Sequence, residues 1–202
     1  LISLLNHLSV TSNFKEDNLK RPFIIAISAV SGGGKTTAIQ LLNKQLANST
    51  ALFFDKYDFE GPDNLIEWAR RGGNYNEWKL QPLISDLTMI LDNKEQHFEY
   101  ILLDYPFAYL NNEMKAYIDL AIFIDTPLDA AMARRILRNQ NTTTKEIRID
   151  METYLTGARE AYVAMLNTVK PNSDVVINGL LEKEILVGEI KKSIKKHLKV
   201  SQ

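Results

Sequence analysis

Five consecutive apolar residues, Phe23-Ile24-Ile25-Ala26-Ile27, lead through Ser28-Ala29-Val30 into Ser31-Gly32-Gly33-Gly34-Lys35-Thr36, and apolar residues then recur at Ile39, Leu42 and Leu46. The first run, rich in β-branched residues, reads as a buried strand; the later spacing reads as a helix from Thr36 to Leu46. The glycines between them let the backbone curl until several N–H groups point inward, and the helix start adds its dipole. A strand, a glycine turn and a helix in this order form a cradle for phosphate. Ser31, Gly32, Gly33, Gly34, Lys35, Thr36 and Thr37 are its candidate nucleotide contacts, with Lys35 reaching the β- and γ-phosphates and Thr36 ligating Mg²⁺. Ala29 stands where such loops usually begin with glycine, with four residues between it and Gly34-Lys35-Thr36. Alanine fits there if its φ stays negative.

The same alternation continues. Further strands are expected at Ala51–Phe54, Tyr100–Leu103, Leu120–Ile124 and Asp174–Ile177, and helices at Asp63–Arg70, Pro82–Leu91, Leu128–Leu137, Met151–Val169 and Glu182–Leu198. Residues 139–144, all Asn, Gln and Thr, read as a loop. Continuous apolar strands alternating with helices imply a parallel sheet covered on both faces, with ligands bound beyond the strands' carboxyl ends. The expected fold is three-layer α/β/α, of the P-loop nucleoside triphosphate hydrolase type, with five parallel strands and a lid. Asp55, Asp104 and Asp125 stand at strand ends, as does the glycine loop.

One domain is expected over residues 1–202, with an extension at 1–20, an acceptor-side insert at 58–82 and a lid region at 134–150. A net charge of −1 argues against nucleic acid as a partner. No apolar run approaches the roughly 18 residues of a membrane span, so no membrane partner is expected either. With no cysteine, disulfides and thiolate metal sites are excluded, and a cytoplasmic location is the expectation. Leu1 stands first, so at least an initiating Met is expected to precede it. His7, His97 and His197 have no ligand spacing and make no metal site.

A phosphate loop serves switches and kinases alike. A guanine-reading switch should carry Asn-Lys-x-Asp, and neither Asn43-Lys44-Gln45-Leu46 nor Asn93-Lys94-Glu95-Gln96 has the Asp. Asp58-Phe59-Glu60-Gly61 matches the Asp-x-x-Gly of a switch loop but does not directly follow an apolar strand. A kinase needs a carboxylate near its acceptor and cations near the moving phosphoryl group. Arg134 and Arg138 share a helix face, with Arg135 turned about 100° away. One pair can clamp phosphates, and one of the three can be a solvated surface residue.

The stretches "FFDKYDF", "DTPLDAAMARRILRN" and "VKPNSDVVINGL", in that order behind the loop, resemble the uridine kinase and phosphoribulokinase-like group of P-loop kinases, over about Phe23 to Leu180. The resemblance implies ATP and Mg²⁺ as cofactors and a small-molecule hydroxyl as phosphoryl acceptor. It implies that Asp55 faces that hydroxyl as general base or orienting group, and that Tyr57 lines the acceptor pocket. It makes Lys35, Asp55, Arg134 and Arg138 the catalytic set and gives Arg135 to the substrate. It implies Asp104, beside the glycine loop, for the Mg²⁺ water shell. Asp125 competes for that role, or else caps the helix after Pro127 or bonds loop N–H groups.

The chain departs from the family in two places. Uridine kinases commonly carry Glu-Gly after the third strand and Arg-Gly-Arg beyond the arginine helix. Here Asp104-Tyr105-Pro106-Phe107 and Asn139 to Lys145 stand instead, with Lys145 or Arg148 as substitutes in the lid. In the insert, Trp68, Tyr75 and Trp78 can stack on a planar ring and Arg70 or Arg71 can hold an anion; the alternative is that at least one Trp is core. Trp78 is the candidate substrate contact among them. The tail puts Ile190, Ile194 and Leu198 on one helix face opposite lysines, a packed surface helix, and the first ten residues suggest a similar short one. The expected activity is ATP-dependent phosphorylation of a nucleoside such as uridine. Alternatives are a sugar, pantothenate-like or riboside acceptor, or a regulatory ATPase that signals by shape.

Overall fold

The computed structural model describes residues 21–138 and 143–200, so the expected helix in the first ten residues and most of the polar stretch at 139–144 lie outside it. Five strands, β1 (Phe23–Ser28), β2 (Ser49–Phe53), β3 (Tyr100–Asp104), β4 (Leu120–Asp125) and β5 (Val175–Asn178), form one parallel sheet in the order β2-β3-β1-β4-β5. Residues of β1 alternate between two cores, as a strand's period of two requires. Ile24 and Ala26 face Leu83 and Leu87 of α3 (Gln81–Asp92), together with Trp68 of α2 (Leu65–Arg70). Ile25 and Ile27 face Ala38, Ile39 and Leu42 of α1 (Lys35–Gln45), and Ile190 and Ile194 of α7 (Lys183–Val200). Both faces of the sheet are thus covered, which explains why the strands read as unbroken apolar runs.

Strand order decides what meets the glycine loop. Ile27 of β1 is in register with Asp104 of β3, and Phe53 of β2 pairs with the same residue from the other side. The carboxyl ends of β1, β2 and β3 therefore open onto one crevice.

Two helix starts differ from the sequence expectation by two residues or more. α2 starts at Leu65 because Asn64, rather than Asp63, accepts the free N–H groups of Ile66 and Glu67. The long helix expected from Met151 starts earlier, as α5 (Thr144–Thr153), behind a capping box in which Thr143 and Glu146 satisfy each other's backbone N–H groups. A π turn at Tyr154–Ala158 separates α5 from α6 (Arg159–Thr168). Such turns concentrate at functional sites. Here Gly157 sits in the turn, and a Cβ at that position would run into three side-chain atoms of Ile66. Ahead of α5 lies α4 (Leu128–Arg138), which carries the arginines. Among the described residues no helix is long and apolar enough to cross a membrane.

Candidate active site

The loop between β1 and α1 closes on itself through Gly33 N–H donating to Val30 C=O at 2.8 Å. Gly32 and Gly34 have φ of +80° and +98°, and Gly34 is the N-cap of α1. Gly32 also has to be small, because a Cβ there would overlap the Ala131 carbonyl of α4. Ala29 is buried and is absent from the positive-φ residues, so the missing first glycine strains nothing at that position. Its methyl nevertheless occupies space. A Cβ on Gly33 would stand 2.8 Å from the Ala29 Cβ, so the alanine and the glycine form a fitted pair. Just past β4, Thr126 donates its hydroxyl to Gly33 C=O at 2.9 Å and pins the loop.

Asp104 is buried at the end of β3. Its Oδ2 accepts a 2.6 Å hydrogen bond from Thr36 Oγ1, and its carboxylate forms an ion pair with Lys35 Nζ. Lys35 titrates well below an ordinary lysine, at about 8, because burial strips water from the ammonium; Asp55 opposes that shift and Arg138 adds to it. Asp55 itself stands exposed on a single 3-10 turn, Phe54–Lys56, directly after β2.

Lys35, Thr36 and Asp55 border one cavity of about 790 Å³. Its wall holds the loop from Ala29 to Ala38, Asp55, Arg134 and Arg138, and continues over Phe54, Trp78, Phe107 and Tyr162. Arg134 Nη1 donates to Gly179 C=O at 2.9 Å, bracing α4 against the segment after β5. Arg135 points off that face, as helical spacing requires, and does not itself line the cavity; its guanidinium meets the Asp150 carboxylate and the hydroxyl of the cavity-wall residue Tyr162.

Other residues singled out in the sequence lie elsewhere. Tyr57 is outside the cavity wall and donates its phenol to Asp86 Oδ2 at 2.8 Å. Burial, together with that hydrogen bond, raises its pKa. Trp68 and Tyr75 are buried in the core with rings edge-on at 5.0 Å, so neither can stack on a ligand. Arg70 pairs with Glu160 and Arg71 with Glu77, away from the cavity. Asp125 pairs with Lys170 Nζ at 2.6 Å. Asp58 to Gly61 is outside the cavity wall, with Gly61 packed close to the Trp78 ring. Sequence reasoning missed Tyr162, which belongs to no motif, and gave no role to Phe107 although it closes the departing segment Asp104-Tyr105-Pro106-Phe107.

No group of three or more carboxylate or histidine ligands occurs among the described residues. Mg²⁺ bound with nucleotide does not need one, since it keeps several waters and takes one or two protein oxygens alongside the phosphates. The Thr36 hydroxyl beside the buried Asp104 carboxylate fits that arrangement.

Residues 92–185 match the phosphoribulokinase / uridine kinase family. The chain resembles the uridine kinases. That of Ureaplasma parvum serovar 3 is 26% identical over 186 residues, covering 79% of this chain and 89% of its own length. One from Macrococcus caseolyticus is 24% identical over 183 residues, with the same coverage of each chain. One from Chlamydia pneumoniae is 23% identical over 204 residues, covering 87% and 90%. Among solved structures, shikimate kinase from Aquifex aeolicus superposes with a TM-score of 0.47 at 17% identity, over 86% of this chain and 96% of that one. The stretch matched to the uridine kinase family includes Asp104 and the α4 arginines and begins after the glycine loop, Asp55 and the insert.

Proposed function

We propose that this protein is a kinase that transfers the γ-phosphoryl group of ATP to a hydroxyl of a small molecule, a nucleoside such as uridine. The observation that carries the reading is the convergence of Lys35, Asp55, Arg134 and Arg138 on one cavity that runs on into an aromatic wall. Similarity to uridine kinases supports the same reading.

In this mechanism the loop amides and the start of α1 hold the phosphates, and the Lys35 ammonium neutralises charge on the β- and γ-phosphates. Thr36 and Asp104 would hold Mg²⁺, which would supply further charge neutralisation on the phosphates. Asp55 orients the acceptor hydroxyl and accepts its proton as the new O–P bond forms and the bond to the leaving ADP oxygen breaks. Arg138 and Arg134 stabilise charge spread over the moving phosphoryl group. Phe54, Trp78 and Phe107 exclude water and offer flat apolar surface to a base ring.

The test is transfer of labelled phosphate from MgATP to uridine, with pantothenate and a free sugar as competing acceptors. Labelled uridine monophosphate is the expected product. Turnover that no hydroxyl acceptor raises above background hydrolysis would sink the kinase reading.

A further inference from the structure

Tyr162 is a cavity-wall residue to which no motif drew attention. It lies on α6, one helical turn before Met165, and both residues line the cavity opposite Leu65 of α2. Its ring is backed by Tyr154, centroid to centroid 5.8 Å. Its hydroxyl accepts a hydrogen bond from Arg135 Nη1. Arg135 is in turn fixed by the Asp150 carboxylate, which meets both Nε and Nη2. One oxygen lone pair of Tyr162 is therefore used while its own O–H donates to no other described residue.

The elements that carry this chain of contacts are themselves anchored. α6 is held on α2 by the Arg70–Glu160 pair and by Ile66, which packs against Gly157. Arg135 rises from the turn of α4 that lies on Gly32 of the phosphate loop. The Tyr162 hydroxyl thus has a set position relative to the place where the phosphoryl group is held.

We infer that Tyr162 is a specificity-determining residue of the acceptor site, its ring bounding the pocket and its O–H donating to an uncharged oxygen of the acceptor. Arg135 and Asp150 are positioning residues that act through it. The inference rests on the kinase reading above and adds to it which group selects the acceptor. It also gives Arg135 a role other than direct contact with substrate.

The experiment measures steady-state transfer from MgATP to uridine in the unsubstituted chain and in Tyr162→Phe, Asp150→Ala, Asp150→Glu and the double variant Tyr162→Phe/Asp150→Ala. Tyr162→Phe keeps the ring and the packing volume, so the fold is retained. It is expected to raise the KM for uridine about tenfold, the size of one lost hydrogen bond, with the KM for MgATP within about twofold. Asp150→Ala should reproduce that split, Asp150→Glu should largely restore the unsubstituted value, and the double variant should be no worse than the single ones. A uridine KM unchanged in Tyr162→Phe, equal rises for both substrates, or additive losses in the double variant would each overturn the inference while leaving the kinase reading intact. No transfer to uridine by the unsubstituted chain would overturn the nucleoside reading and the role of Tyr162 with it.

Discussion

Thr36 donates its hydroxyl to Asp104 across 2.6 Å, joining the first turn of α1 to the end of β3 at the point where Lys35 also meets the carboxylate. The contact exists because β3 lies beside β1 in the sheet. β4 flanks β1 on the other side, but its terminal Asp125 pairs with Lys170 instead. Asp104→Asn keeps the shape and one acceptor but removes the charge to which the proposed function gives the support of Mg²⁺ and its waters. The expected outcome is a rise of about 10–100-fold in the Mg²⁺ concentration needed for half-maximal transfer, the usual cost of losing a supporting carboxylate. Titrating Mg²⁺ at saturating ATP checks it, and an unchanged half-point would remove Asp104 from the metal's surroundings.

Lys35 supplies a pH dependence whose sign can be worked out. Its pKa in the folded chain is about 8, against 10.5 for the free side chain. Between those values the unfolded chain holds more protons than the folded one, so stability rises with pH across the window and the deficit is complete below pH 8. Nucleotide phosphates favour the ammonium and pull a proton back. ATP binding at pH 8.5 to 9 is therefore expected to take up a fraction of a proton, about one at most, and affinity should weaken as pH climbs further. Calorimetry in two buffers of different ionisation enthalpy reads the uptake directly. Lys35→Met should abolish it.

Asp55 sits on the rim of the same cavity, exposed and close enough for its charge to act on Lys35. If it takes the acceptor's proton, Asp55→Asn should lower kcat for transfer about 10²–10⁴-fold and leave ATP affinity within a few-fold. A filter assay with labelled ATP and equilibrium binding of ATP separate the two quantities. Equal losses in binding and transfer would point to a role with the nucleotide.

How much of this was readable beforehand follows from the kind of signal each residue carries. Gly32 to Thr36 were legible because motif, preceding strand and following helix all agree, and the sheet followed from unbroken apolar runs. Asp104 over Asp125 was what the resemblance implied; spacing did not contain it, and since β3 and β4 both flank β1 the difference lies in the partners, Lys35 and Thr36 for one and Lys170 for the other. The aromatic insert was not legible: α2 has only six residues, too few for a periodicity that says which face is buried. Trp68 turned into the core and Trp78 onto the cavity, though both looked alike in the sequence. The capping box at Thr143 and Glu146 was visible as Thr-x-x-Glu, but the polar run before it reads as loop and hid the helix start. Tyr162 and Met165 mark a helix face; that the face bounds a cavity is information only the packing of α6 on α2 contains.

That packing has its own test at Gly157. The backbone there has a φ of 178°, which any residue can adopt, so the reason for glycine is space and not conformation. A methyl at this position would meet Ile66 Cγ1 and Cγ2 at 2.8 Å, with Cδ1 closer still. Gly157→Ala must therefore push α2 away from α6 or force Ile66 off its rotamer, at a cost of about 1–3 kcal/mol. For a chain of this length that corresponds to a fall in Tm of roughly 2–4 °C for each kcal/mol. Shortening the opposing side chain should relieve the clash, so Gly157→Ala/Ile66→Ala should be more stable than the sum of the two single effects. Because Leu65, next to Ile66, lines the cavity, the displaced α2 should also raise the acceptor KM. Thermal unfolding of the four chains in the cycle decides it, and strict additivity would mean that α2 and the π turn do not press on each other.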